Sequence, residues 1–184
     1  MTAAVYRAGT ARVVVAALLA VATAGCSGDG SASRAPASAF RPLEVGDTVP
    51  AYASATLAGD TVRVARGQPV TLVNIWATWC ESCREEMADL QRLEQEFGPK
   101  GLRVLGVSVD NGDGARVRRF VEGERLSFTI AHDPDGRIQR LFRAVGVPET
   151  YLISADGRLL WRQQGGLHGN PEAARTAVSR ALSS

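Results

Sequence analysis

Histidine, methionine and cysteine are all scarce in this 184-residue chain, with two, two and three copies. That scarcity narrows metal chemistry at once. A closed zinc site takes four protein ligands. The candidates here are Cys26, Cys80, Cys83, His132 and His168, with no second C-x-x-C and no closely spaced pair of histidines. Net charge is also missing. The formal total is +2, and Arg7 and Arg12 stand in a leading stretch without acids. Past residue 25 the remaining 19 basic residues match the 19 acidic ones. A nucleic-acid binder is expected to carry a basic stripe or domain, so no nucleic-acid partner is expected. A long apolar run is lacking too. Residues 13–22 form a run of ten, well short of the roughly 20 needed to span a bilayer.

The front of the chain reads as an address rather than a fold. A charged start, the apolar run and the small residues Thr23, Ala24 and Gly25 compose a secretory signal peptide over residues 1–25. Cys26 follows directly. A small residue, then Gly, then Cys after such a run resembles a bacterial lipoprotein signal, which implies lipidation of Cys26 and an extracytoplasmic, membrane-anchored protein. Thr23 departs from that pattern, where an aliphatic residue is usual. An ordinary signal peptide with an incidental cysteine is the alternative. Residues 26–42 are rich in Ser, Ala, Gly and Pro with no hydrophobic period, and read as a flexible tether.

The chemistry concentrates in residues 70–90, VTLVNIWATWCESCREEMADL. An apolar run that predicts a strand leads straight into Cys80-Glu81-Ser82-Cys83. Cys83, Met87, Leu90, Leu93 and Phe97 then recur at intervals of three and four, the period of one helical face. Cys83 therefore falls on the buried stripe, while Cys80 precedes it and is expected to be exposed. A C-x-x-C at a strand-to-helix turn suits reversible thiol–disulfide exchange, because free backbone N–H groups there favour the thiolate. Half a zinc site and an inert structural disulfide are the competing readings. The zinc reading lacks ligands. The disulfide reading is weak because so small a loop removes little chain entropy.

WATWCESC resembles the W-C-x-x-C active site of the thioredoxin superfamily. VNIWATWC with the downstream VGVPETYLI is similar to its extracytoplasmic TlpA/ResA-like branch of thiol–disulfide oxidoreductases, which includes cytochrome c maturation reductases. The resemblance spans about residues 43–166. It implies a single α/β thioredoxin-like domain over residues 43–184, with a central mixed β-sheet flanked by helices and an N-terminal β-hairpin extension. It implies a redox-active Cys80–Cys83 pair with no other cofactor and no metal. It further implies a disulfide-bearing protein as substrate and a membrane protein as electron donor. Pro148 is expected to be cis and to pack beside the C-x-x-C. Val147 would offer backbone hydrogen bonds to substrate, with Trp79 and Glu149 as further substrate contacts; a plain strand-edge charge is the other reading of Glu149. Glu86 matches a glutamate implicated in tuning the thiols, and a surface helix charge is its other reading. Asn74 stands where thioredoxins proper carry a buried Asp, and hydrogen bonding in the core is its other reading. Peroxiredoxins share this core but carry a threonine at the position of Ala77, which argues against a peroxidase. A metal-handling or adaptor module of the same fold is a further alternative. His132 is expected to be structural.

The remaining pattern predicts a hairpin turning at Gly59-Asp60 and buried strands at residues 71–77 and 102–109. A helix with Val117, Phe120 and Val121 inward places Arg116, Arg118 and Arg119 on its solvated side, with a basic docking patch as the alternative reading. A short strand at residues 128–131 follows, then a helix with Ile138, Leu141, Phe142 and Val145 inward. A strand at 151–153 pairs with one at 159–163. Asn170 and Pro171 are expected to open a last helix.

Overall fold

The computed structural model describes residues 40–183. The calls on the signal peptide and on Cys26 lie outside the described residues. At the centre is strand β3 (Thr71–Trp76), with all six residues buried. A strand apolar on both faces needs cover on both sides, and it has it. The order in the five-stranded sheet is β5-β4-β3-β6-β7. Strands β4 (Arg103–Ser108) and β5 (Thr129–His132) run parallel to β3. Strands β6 (Glu149–Ile153) and β7 (Leu159–Gln164) complete it in antiparallel pairs. A separate hairpin of β1 (Tyr52–Ala55) and β2 (Thr61–Val64) precedes the sheet. This is the mixed α/β layering expected from the sequence.

Alternation along the strands divides the core in two. Leu72, Trp76, Val104 and Leu152 face one side. There they meet Leu90 and Leu93 of α2 (Met87–Phe97), Val117 of α3 (Ala115–Gly123) and Val178 of α5 (Pro171–Leu182). Val73, Ile75, Leu105, Val107 and Tyr151 face the other, against the hairpin and α4 (Arg137–Phe142). Gly106 marks where β4 is approached most closely. A Cβ there would stand 2.8 Å from Ile130 Cδ1 and 3.1 Å from both Phe128 and Trp76.

Three local expectations are corrected. The helix after the cysteines is broken at Glu86 into α1 (Glu81–Glu85) and α2, because Glu86 turns inward at the junction. Val145 is exposed rather than inward. Arg143 adopts a left-handed conformation, φ 52°, which ends α4 one turn early and throws Val145 out of its period. Asn170 precedes α5 but its side chain makes no capping hydrogen bond. Among the described residues no helix is long and apolar enough to cross a membrane.

Candidate active site

Strand β3 delivers its C-terminal end to Thr78, Trp79 and Cys80. The turn is pinned by Asp110, two residues past the end of the neighbouring strand β4. Its carboxylate accepts the Thr78 N–H at 2.8 Å, the Thr78 hydroxyl at 2.5 Å and the Ser108 hydroxyl at 2.8 Å. His132 Nε2 donates to the Asp110 carbonyl at 2.8 Å, which gives this histidine a structural job. Asp110 was not singled out in the sequence. The "S-x-D" ending a buried strand was its only signal.

Cys80 is the N-cap of α1, and the Cys83 N–H donates to Cys80 Sγ at 3.2 Å. The two cysteines form a disulfide with Cα atoms 5.2 Å apart. Cys83 is fully buried. Cys80 is 8% exposed and belongs to the buried cluster, so the expectation of an exposed Cys80 is corrected for the disulfide form. In the disulfide Cys80 is drawn against Cys83 and the cluster around it. The exposed member of the motif is Trp79, at 63%. Glu81 is also exposed.

Glu86 is buried three residues past Cys83, on the sheet side of the α1–α2 break. One carboxylate oxygen accepts from Asn74 Nδ2 at 2.8 Å. The other accepts the Leu167 N–H at 2.8 Å. Asn74 Nδ2 also donates to Thr150 Oγ1 at 3.0 Å. Burial pushes the Glu86 carboxyl up to about 7, against the pull of the two hydrogen bonds. Both readings of Asn74 therefore meet: it satisfies core hydrogen bonds, and its partner is the candidate acid.

The Val147–Pro148 peptide is cis. Pro148 is buried, and Val147 is half-buried against the clusters on both faces of the sheet, one of which holds both cysteines. Among the described residues the N–H and C=O of Val147 make no backbone hydrogen bond. The turn between β7 and α5 ties the two halves of the site together. Its Gly165 N–H donates to the Pro148 carbonyl at 2.9 Å, and its Leu167 N–H reaches Glu86. A Cβ on Gly166 would stand 3.4 Å from the Ser82 carbonyl. Nothing in the composition of this loop marked Leu167 as buried.

Glu149 is placed away from this assembly. Strand alternation turns it to the opposite face of the sheet from Thr150. It is fully buried and ion-paired with Arg162, and it accepts the Val145 N–H at 2.9 Å. It steadies the loop before Pro148 rather than facing a substrate. Thr150, its neighbour, is the residue of this motif that joins Asn74 and Glu86. No group of three or more His, Cys, Asp or Glu side chains among the described residues is arranged to hold a metal ion.

A family model described as AhpC/TSA matches residues 45–162. The chain belongs to the AhpC/TSA family. It is 35% identical over 96 residues to the thiol-disulfide oxidoreductase ResA of Oceanobacillus iheyensis. That match covers 52% of this chain and 50% of the relative, so the chain spans about half the length of that protein. It is 34% identical over 126 residues to a thiol:disulfide interchange protein DsbE homolog of Paracoccus denitrificans, covering 67% of this chain and 68% of the relative. Among solved structures it is similar to one described as thiol:disulfide interchange protein DsbE from Chlorobium tepidum. The TM-score is 0.70 at 28% identity, over 76% of this chain and 99% of that one. The resemblance noted in the sequence thus holds in both sequence and fold.

Proposed function

We propose that this chain, a thiol–disulfide oxidoreductase, works in the reducing direction on disulfides of extracytoplasmic proteins, including those of cytochrome c maturation. The observation that carries the reading is Cys80 at the N-cap of α1, accepting the Cys83 N–H and paired with Cys83. In the dithiol form that N–H stabilises a Cys80 thiolate. The thiolate attacks one sulfur of the substrate disulfide and expels the other as thiolate. The mixed disulfide lies along Val147, whose peptide groups are available to an extended strand. Cys83, deprotonated with help from Glu86, attacks Cys80 Sγ. The substrate leaves with two electrons, and the enzyme is left as the Cys80–Cys83 disulfide.

One acid supports the direction. Exposed Glu81, between the two cysteines, carries a negative charge that opposes a Cys80 thiolate. A less stabilised thiolate makes a less oxidising couple. Regenerating the dithiol needs a donor, proposed to be a membrane protein, with the chain held nearby by lipid on Cys26. No cofactor beyond the cysteine pair enters this cycle.

The deciding experiment is the reduction potential of the Cys80–Cys83 couple in dithiothreitol and glutathione buffers. A value near or below about −270 mV, that of thioredoxin, is expected. A value near about −120 mV would make the protein an oxidant and reverse the scheme. The Cys83→Ser variant should then accumulate mixed disulfides with its substrates through Cys80.

A further inference from the structure

A cleft beside the cysteine motif takes no part in the steps above. It has a volume of about 430 Å³, and its walls include Trp79, Asp110, Asp113, Arg116 and Arg119. Trp79, the residue before Cys80, is largely exposed there. Arg116 and Arg119 are exposed and stand three apart in α3, so they share one helical face. Val117, between them, is buried.

The carboxylates of this cleft are already engaged. Asp110 accepts from Thr78 and Ser108. Asp113 accepts the Ala115 N–H at 3.0 Å. That bond, with smaller contributions from Arg118 and Arg119, holds its carboxyl below the usual range. Neither Arg116 nor Arg119 makes an ion pair among the described residues. Two guanidinium groups thus line the same cleft as Trp79, the residue before Cys80, and among the described residues neither forms a salt bridge with a carboxylate, although Arg119 acts at longer range on Asp113.

We propose that this cleft is a specificity subsite for an acidic side chain of the substrate polypeptide, close in sequence to its reacting cysteine. The proposal rests on the reductase reading. A substrate cysteine bonded to Cys80 Sγ must pass Trp79. An extended chain advances at most about 3.3–3.6 Å per residue, so a side chain a few residues away reaches the arginines. Guanidinium forks match a carboxylate in geometry as well as charge. The indole face covers the apolar stem beside it. A lysine or arginine that reaches the two guanidinium groups meets like charge and is disfavoured, while Asp110 and Asp113, in the same cleft, are turned to the hydrogen bonds they already accept.

The test uses the reduced full-length chain in single turnover, freed of small thiols. Three disulfide peptides differ only in flanking residues: acidic, neutral and basic. At low ionic strength the acidic peptide should react about five- to tenfold faster than the basic one. That ratio should fall toward one in R116Q/R119Q and invert in R116E/R119E. It should also shrink at 1 M salt, where the screening length is about 3 Å. Equal rates for acidic and basic peptides in the native protein would overturn the subsite, as would a ratio that both double variants keep. The neutral peptide separates this from the parent reading. If the native protein fails to reduce even that peptide, the reductase reading falls. If it reduces all three at one rate, only the subsite does.

Discussion

Asn74 and Glu86 show how a single exchange of residues reorganises a redox site. Thioredoxins proper carry a carboxylate at position 74, whereas the resemblance to the TlpA/ResA-like branch points to Glu86. Here an amide stands in its place, and the carboxylate has moved to Glu86, 2.8 Å away across the α1–α2 break. The amide spends both hydrogen-bonding directions of Nδ2, on Glu86 and Thr150, and leaves Asn74 Oδ1 buried without a partner among the described residues. With Glu86 protonated, a flipped amide would accept from both Glu86 and Thr150. Two carboxylates in the same hole are a different matter, because like charges at this distance cannot both ionise cheaply. Asn74→Asp should therefore cost about 2–4 kcal/mol of stability at pH 8, with a much smaller deficit at pH 5. Adding Glu86→Gln to Asn74→Asp should restore most of the loss. Urea unfolding of the four members of this cycle reads the coupling directly. Additive effects of the two substitutions would show that positions 74 and 86 do not share a proton site.

At the scale of elements, what the sequence showed and what it hid divide by physical cause. Periodicity revealed the strand β3, the buried stripe of α2 and the inward face of α3, since these follow from which residues must leave water. The motif at residues 79–83 and the Val147–Pro148 pair were legible because their chemistry is local. Contacts made across the sheet were not. Thr150, Asp110 and the Leu167 N–H reach the site only once β6, β4 and the β7–α5 turn are assembled. Glu149 was read as a substrate contact because it adjoins Pro148, and strand alternation sends it to the far face. The end of α2 at Gly98 and the start of α5 at Pro171 follow from their glycine and proline residues, but the end of α3 carried no such mark. Arg125 follows α3 with φ 54°. Its neighbour's Leu126 N–H returns to the Val121 carbonyl at 3.1 Å, a closure that glycine usually serves. A left-handed conformation costs a residue with a Cβ about 1–2 kcal/mol. Arg125 is exposed and makes no ion pair among the described residues. Arg125→Gly should thus stabilise the protein by about 1 kcal/mol and raise Tm by about 2–4 °C. A Tm that falls would mean that the arginine side chain contributes more than its backbone strain removes.

The whole molecule meets at one buried acid. Glu86 is held by β3 through Asn74 and by the β7–α5 turn through Leu167, while the same turn holds Pro148. Its ionisation is therefore felt by the global fold, and the sign follows from the shift. Burial raises the carboxyl from 4.5 to about 7. Below about pH 4.5 it is protonated in both folded and unfolded chains. Between about 4.5 and 7 the unfolded chain releases its proton first, so stability falls as pH rises, and it levels off above 7. The slope approaches about 1.4 kcal/mol per pH unit, and the full drop is about 3 kcal/mol as an order of magnitude. Asp47, Asp113, Asp156 and Glu96 have lowered carboxyls. Their contributions are lost only as pH falls through the acid range, so they do not mask Glu86 between pH 5 and 8. Comparing the oxidised native protein with Glu86→Gln isolates the acid, because every other titratable group is common to both. The variant's stability relative to the native protein should rise by up to about 3 kcal/mol between pH 5 and pH 8. Parallel curves would mean that Glu86 titrates in the folded protein as it does in the unfolded chain, and that the raised carboxyl invoked to help Cys83 is not there to do so.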